Sequence, residues 1–255
     1  MTPVPAPAGL PAALGLSGAG VRWEPRQAGD SGDSVYRVTE PGKPVRWLKT
    51  SRNLKWMGLA AHRDRLLWMQ GKLPVSQMLG YALAAGSEWL VTTEIPGLSA
   101  CDPGLDLPKE EKIRLLAHGL KRIHSVNPAG CPFVDTLAAR IARAGGCMAT
   151  EDHGIRARFA LIEKLPRPAE DPVFCHGDYC WPNILFHEGK VSGFIDLAFA
   201  GVMDRYADFG QACYSMVRNG DRDYIDLFFS EYGLPGVDYR KILYYQDLEM
   251  AMGDG

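Results

Sequence analysis

The stretch from His176 to Asp196, HGDYCWPNILFHEGKVSGFID, constrains the fold of this chain more than any other segment. Two short apolar runs, Ile184–Phe186 and Val191–Ile195, flank Glu188-Gly189, a pair suited to a two-residue turn. The spacing predicts a β-hairpin, and a hairpin returns its far end to its near end. Asp178 and Asn183 lie five residues apart on the loop before it, and Asp196 follows thirteen after Asn183. The hairpin therefore predicts that Asp196 comes back beside Asn183. Pro182 restricts Trp181 to extended geometry, which suits a rigid loop better than a helix. Any one of these residues alone fits an ordinary turn rich in Asp and Asn. The HGD triplet, the Pro-Asn step and the strand-end Asp together point further.

A carboxylate and a nearby amide oxygen form the hard ligand set that Mg²⁺ takes while keeping water and phosphate oxygens. Asp178 then remains to orient a hydroxyl and accept its proton, an arrangement that phosphoryl transfer can use. The segment Gln27–Val35 sits between two predicted strands, and its small residues let backbone N–H groups approach phosphate oxygens, with Ser hydroxyls adding donors. The same composition also serves as a plain hairpin turn. Lys49, flanked by Trp47 and Leu48, either keeps a solvated tip at a sheet edge or reaches the α- and β-phosphates behind that loop. Other nucleotide motifs are absent from the sequence. Lys43, Lys72 and Lys190 each follow Gly but precede Pro, Leu and Val, so there is no GxxxxGK[ST]. No GxGxxG follows a strand and no HExxH occurs.

Composition narrows the class. A net charge of −2 gives no basic surface for nucleic acid. The six cysteines are scattered without a CxxC pair, as expected of reduced thiols in the cytoplasm. No apolar run approaches the roughly 18 residues of a membrane span. The first twenty residues, rich in Pro, Ala and Gly and lacking Lys or Arg, are expected to form a loose arm rather than a secretory signal. Residues 21–93 carry short β-branched and aromatic runs at Val21–Trp23, Val35–Val38, Val45–Lys49, Gln77–Ala84 and Glu88–Thr93, with a helical pattern over Asn53–Gln70. Glu94-Ile95-Pro96-Gly97 predicts a hinge, placed at 94–99. From residue 100 to 255 helical patterns dominate, at Pro108–Ser125, Phe133–Arg143, Ile155–Leu165, Asp204–Val217, Tyr224–Tyr232 and Asp238–Ala251. The expected fold class is α+β, a small antiparallel sheet lobe with one main helix joined to a larger helical lobe, with a cleft at their junction.

Several segments carry a resemblance: WLKT around Lys49, EIPG at Glu94, KRIHSVNPAGCPF at 121–133, HGDYCWPNILF, and GFIDLAFAGVMDRYAD. Together they resemble the aminoglycoside 3′-phosphotransferases, within the wider family of protein-kinase-like small-molecule kinases. The resemblance covers nearly the whole chain after about residue 20. It implies a two-lobed kinase-like fold that binds ATP, or alternatively GTP, with Mg²⁺. By position, Asp178 matches the catalytic base, and Asn183 and Asp196 the magnesium ligands. Lys49 matches the phosphate-binding lysine and Ser31 falls in the loop over the phosphates. Trp47 matches the aromatic position that stacks on adenine, while Glu94 and Ile95 fall where hinge backbone groups bond the base. The implied acceptor is an aminoglycoside or amino sugar, and Glu151, Asp152 and Glu249 are the acids proposed to meet it. A cytoplasmic monomer or dimer without a membrane or nucleic acid partner is expected.

The chain also departs from that family. Relatives carry a Glu thirteen residues after the lysine, where this chain has His62. An Arg after the metal Asp becomes Phe199, and an Arg-Asp pair in the next helix becomes Tyr214-Ser215. These changes leave two alternatives open, a kinase with a less cationic acceptor and a nucleotide-binding module with little catalysis. A protein kinase is disfavoured because HGD replaces HRD. His176 is expected to hold the loop by hydrogen bonding, His124 to cap or pack, and Arg205 and Asp208 to pair with each other.

Overall fold

The computed structural model describes residues 4–18, 20–26, 33–52, 58–149 and 152–252. They divide into two compact units, Met1–Gly97 with Ser192–Phe199, and Leu98–Val191 with Ala200–Gly255.

The first unit is built on five antiparallel strands: β1 (Arg22–Arg26), β2 (Ser34–Thr39), β3 (Arg46–Ser51), β4 (Met78–Ala84) and β5 (Ser87–Thr93), in the order β1-β2-β3-β5-β4. Alternation along these strands separates two faces. One face carries Trp23, Val38, Leu48, Trp89 and Val91 into a core with Leu16. Leu10 and Leu14 pack on the same cluster, so this part of the expected arm lies against the sheet. Burying these side chains contributes roughly 1.5–3 kcal/mol each. The β4–β5 hairpin turns at Ala85 (φ 50°) and Gly86 (φ 72°), the left-handed pair that such a turn needs.

The helix α1 (Leu59–Met69) follows β3. Residues 53–57 of the expected helix lie outside the described residues. No side chain of its own caps α1. Glu88 on β5 caps it instead, accepting the Leu59 and Ala60 backbone N–H groups at 2.6 and 3.0 Å and the Tyr81 hydroxyl at 2.6 Å. Gly58 is needed for that approach, because a Cβ there would meet Glu88 Oε2 at 2.3 Å.

The second unit contains β6 (Leu98–Ser99), α2 (Lys109–His124), α3 (Leu137–Gly146), α4 (His153–Ile162), β7 (Pro172–Cys175) and β8 (Ile184–His187). The chain then turns through Glu188 (φ 50°) and Gly189 (φ 69°) into β9 (Lys190–Phe194), whose last residues pass into the first unit. The hairpin expected at Glu188-Gly189 is therefore present. β10 (Gly201–Asp204), α5 (Tyr206–Arg218), α6 (Ile225–Tyr232) and α7 (Tyr239–Ala251) complete the unit.

The helix expected from Phe133 begins only at Leu137. Val202 donates to Phe133 O and accepts from the Asp135 N–H, holding 133–135 extended, and the Thr136 hydroxyl then caps α3. The antiparallel pair of β7 and β10, Gly201 opposite Cys175, had no sequence expectation because its short strands meet across the intervening loop and hairpin rather than at a local turn. Among the described residues no helix is long and apolar enough to cross a membrane.

Candidate active site

In the second unit, β7 delivers His176 to the start of the HGD loop. Gly177 has φ +83°, a conformation that favours glycine, and this lets the chain turn sharply into Asp178. The loop is then fastened from below. Asp208, fully buried on α5, accepts the backbone N–H of His176 with Oδ2 and that of Gly177 with Oδ1, both at 2.8 Å. His124 Nε2 donates to the same Oδ2 at 3.1 Å, and the Tyr232 hydroxyl lies 2.9 Å from His124 Nδ1. Arg205 Nη1 donates to that hydroxyl at 3.2 Å. Burial pushes the Asp208 carboxyl up, but the bond and charge of His124 and the His176 contacts outweigh it and hold it below the ordinary range. His124 is thus a partner of Asp208 whose ring packs on Phe209 and Tyr232, the packing role expected of it rather than the cap. Arg205 pairs with Asp171, Nε to Oδ2 at 2.7 Å, and does not pair with Asp208.

Further fasteners hold the rest of the loop. Trp181 is buried and donates from its backbone N–H to Ser215 Oγ at 2.9 Å and from Nε1 to Asp221 Oδ2 at 3.0 Å. Lys112 donates to the same Asp221 oxygen at 2.6 Å. Ser215, one of the departures noted above, is therefore an anchor of the loop. The buried His176 accepts the Asp178 N–H with Nδ1 at 3.3 Å, the holding role expected of it. Asn183 Nδ2 donates to Asp178 Oδ2 at 2.7 Å and to the Asp178 carbonyl at 3.0 Å. With Nδ2 so engaged, the Asn183 amide oxygen faces away from that carboxylate. Asp178 is partly exposed while the backbone around it is buried.

In the first unit, Lys49 Nζ lies 3.1 Å from Asp33 Oδ2 and 3.2 Å from Asp196 Oδ1. Burial pulls the Lys49 ammonium down, yet Asp196 and Asp33 together raise it above its usual value. Asp196 has φ +56°, an uncommon conformation for a residue other than glycine, of the kind that collects at functional positions. Trp47 stands two residues from Lys49 on the same strand face, opposite Arg37. Arg37 Nε donates to Glu94 Oε1 at 2.9 Å. Ile95 closes over Gly193, where a Cβ would meet Ile95 Cδ1 at 2.8 Å and Pro74 O at 2.7 Å. Asp33 is a residue that sequence reasoning missed. Its signal was the β2–β3 register, which sets Val35 opposite Lys49 and so puts Asp33 on the diagonal of the same face.

Of the three acids expected to meet the acceptor, Glu151 lies outside the described residues, as does Ser31 of the phosphate loop. The Asp152 carboxylate caps α4, accepting the Gly154 and Ile155 N–H groups at 2.7 and 3.2 Å. The Glu249 carboxylate accepts from Nη2 of the buried Arg140, whose Nη1 reaches Asp135 at 3.1 Å.

Residues 22–245 match the phosphotransferase enzyme family. The chain belongs to that family. This phosphotransferase is an enzyme that moves a phosphoryl group to a hydroxyl, on an α+β fold of the protein-kinase-like type. An aminoglycoside 3′-phosphotransferase of Niallia circulans is 34% identical over 239 residues, 87% of this chain and 89% of that protein. A streptomycin 3″-kinase of Streptomyces griseus is also 34% identical, over 76% of this chain and 77% of its own length. Among solved structures, an aminoglycoside-3′-phosphotransferase of type VIII superposes with a TM-score of 0.82 at 25% identity, covering 94% of this chain and 97% of that one. The Streptomyces rimosus aminoglycoside phosphotransferase, solved with ADP and streptomycin, shares the fold with a TM-score of 0.71 at 23% identity, over 90% of this chain and 92% of that one.

Proposed function

We propose that this phosphotransferase moves the γ-phosphoryl group of ATP to the 3′-hydroxyl of an aminoglycoside, in the cytoplasm, as a monomer or dimer. Antibiotic resistance is the expected consequence. One observation carries the reading: Asp178 is presented by a loop whose backbone is tied to Asp208, with Asn183 steadying its carboxylate. A base so fixed can align a hydroxyl and accept its proton as the acceptor oxygen bonds to γ-phosphorus and the bond to the ADP oxygen breaks. Lys49 grips the α- and β-phosphates, and Ser31 donates to them from its loop. Trp47 stacks on the adenine, while backbone groups of Glu94 and Ile95 meet its edge. Asn183 and Asp196 supply an amide oxygen and a carboxylate, a donor set that fits Mg²⁺, and the ion when bound offsets phosphate charge. GTP would be read by the same hinge groups, so donor choice is part of the test.

Two observations favour a second reading of the acceptor. Glu249 is engaged by Arg140, and Asp152 is engaged as a helix cap. Carboxylates committed in this way leave less charge for a polycation, which supports a less cationic amino sugar or another alcohol.

The experiment is coupled ADP release with ATP or GTP against kanamycin, neomycin, streptomycin and an uncharged sugar, with NMR of the product to locate the phosphate. Turnover of kanamycin or neomycin at the 3′-hydroxyl is expected. Turnover confined to the uncharged sugar would overturn the acceptor, phosphate on streptomycin alone would move the target hydroxyl, and nucleotide binding without any turnover would favour a binding module.

A further inference from the structure

A lysine that grips phosphates must be held charged and aimed. An ammonium on a flexible four-carbon stem loses much rotamer freedom when held, so it needs a fixed partner that survives the arrival of substrate. On α1 the residue thirteen after Lys49 is His62, which is buried and carries no carboxylate. Asp64, the nearest acid on that helix, points to Arg63 at 2.7 Å. Among the described residues the ion-pair partners of Lys49 are Asp196 and Asp33.

The two differ in their surroundings. The Asp196 side chain is 44% exposed and sits on the segment proposed to meet the metal. The Asp33 side chain is 10% exposed and sits at the entry to β2. Antiparallel pairing of β2 with β3, Ser34 opposite Thr50 and Val35 opposite Lys49, sets Asp33 on the Lys49 side of the sheet at the diagonal position. Long side chains reach across that diagonal. The contact therefore sits one residue beyond the paired ladder, where the register of Ser34 and Val35 fixes the side on which Asp33 enters.

We infer that Asp33 is the positioning residue for Lys49, a carboxylate at the entry to β2 that does the work a helix acid would otherwise do. The inference rests on the reading of Lys49 as the phosphate-gripping residue. Were Asp196 to hold a metal ion, Asp33 would remain to keep Lys49 aimed into the site. His62 on α1 then need not supply the charge partner, because it comes from the residue that leads into β2.

The test compares Asp33→Asn, Asp33→Glu and Lys49→Ala in the full chain, with the steady-state constants, MgADP affinity by calorimetry and the thermal midpoint all measured. Asp33→Asn is expected to raise KM for ATP and the Kd for MgADP about tenfold, with kcat and the acceptor KM within twofold and the melting midpoint unchanged. Asp33→Glu should recover at least half of the lost affinity on a logarithmic scale. Unchanged nucleotide affinity in Asp33→Asn, while Lys49→Ala loses it, overturns the role of Asp33 alone. Tighter binding in Asp33→Asn also overturns it, since Asp33 would then compete with phosphate. If both Asp33→Asn and Asp33→Glu lower the melting midpoint in step with affinity, the residue is structural and the inference fails. Unchanged affinity in Lys49→Ala sinks the reading of Lys49 itself.

Discussion

Replacing Asp208 with Asn tests whether the HGD loop owes its position to one buried carboxylate. The substitution is isosteric, so it changes charge and acceptor number with little change of volume. The native carboxylate accepts three bonds, from the Gly177 N–H on Oδ1 and from the His176 N–H and His124 Nε2 on Oδ2. An amide has a single oxygen. Oriented toward Gly177, it turns its own N–H₂ on the His176 and His124 donors; oriented the other way, it opposes the Gly177 donor. Between one and two charge-assisted bonds are lost, each contributing about 1.5–3 kcal/mol, and a donor–donor contact replaces them. The expected cost is roughly 2–5 kcal/mol, a large part of the 5–15 kcal/mol that typically separates folded from unfolded states. For a chain of this size that corresponds to a fall in melting midpoint of about 5–15 °C. Because the loop carries Asp178, kcat should fall at least about tenfold in the fraction that remains folded. Differential scanning calorimetry and acceptor turnover measure the two effects. Asp64→Asn, which touches an exposed pair with Arg63, serves as control and should stay within about 0.5 kcal/mol of the parent. Asp208→Asn melting within 1–2 °C of the parent (roughly 0.5 kcal/mol at this size), with kcat unchanged, would refute the anchoring argument.

Other perturbations follow from the same contacts. Glu88→Ala removes the cap of α1 and leaves the Tyr81 hydroxyl facing an emptied site, which should cost about 1–3 kcal/mol in urea unfolding; a loss below 0.5 kcal/mol would mean that α1 is capped by other means. Gly193→Ala places a methyl against Pro74 O and Ile95, so a drop of about 1–3 kcal/mol is expected, and Ile95→Ala in the same chain should restore part of it. The acid side of the stability profile reflects Asp208 and Asp221, both held below the ordinary value of 3.8 by His124 in one case and by Lys112 and Trp181 in the other, against burial. A depressed carboxyl stabilises the fold above its unfolded pKa, and that contribution is lost as pH falls from about 4 through the depressed values, so denaturant midpoints should drop there. Asp208→Asn should flatten that drop; an unaltered acid limb would contradict it. Thiol titration should modify the exposed Cys101 before Cys175 and Cys213, whose thiols burial pushes up, Cys213 to about 12.

Much of the architecture was legible because it rests on local signals. Strand runs, the Glu188-Gly189 turn and the helix patterns each announce themselves within a few residues. Elements that exist only through distant pairing did not. β7 and β10 are four residues each and pair with no local turn between them, and Gly201 on β10 also lets Phe133 O approach, with 2.8 Å from a would-be Cβ to that oxygen. α3 begins late for the same reason, since pairing with Val202 claims the residues before Thr136.

The candidate site divides along the same line. Asp178, Asn183 and His176 lie within one loop, so their mutual contacts were open to reasoning from spacing. The partners that give those residues their properties come from far along the chain: Asp208 is 32 residues from His176, and Asp196 is 147 from Lys49. Charge was the most misleading guide. Glu249 resembles a free acid in a C-terminal helix, yet Arg140 is buried and needs a counter-charge, because an unpaired guanidinium in the interior costs several kcal/mol. Arg205 and Asp208, three residues apart on a helix start, look like a pair but serve different masters, Asp171 at the surface and the loop N–H groups within. A buried cation claims the nearest carboxylate before any ligand can. The acids that decide acceptor choice in this phosphotransferase should therefore be sought among carboxylates with no buried cation beside them, and Glu249→Gln should lower stability more than it raises the acceptor KM. The reverse result would return Glu249 to the acceptor site.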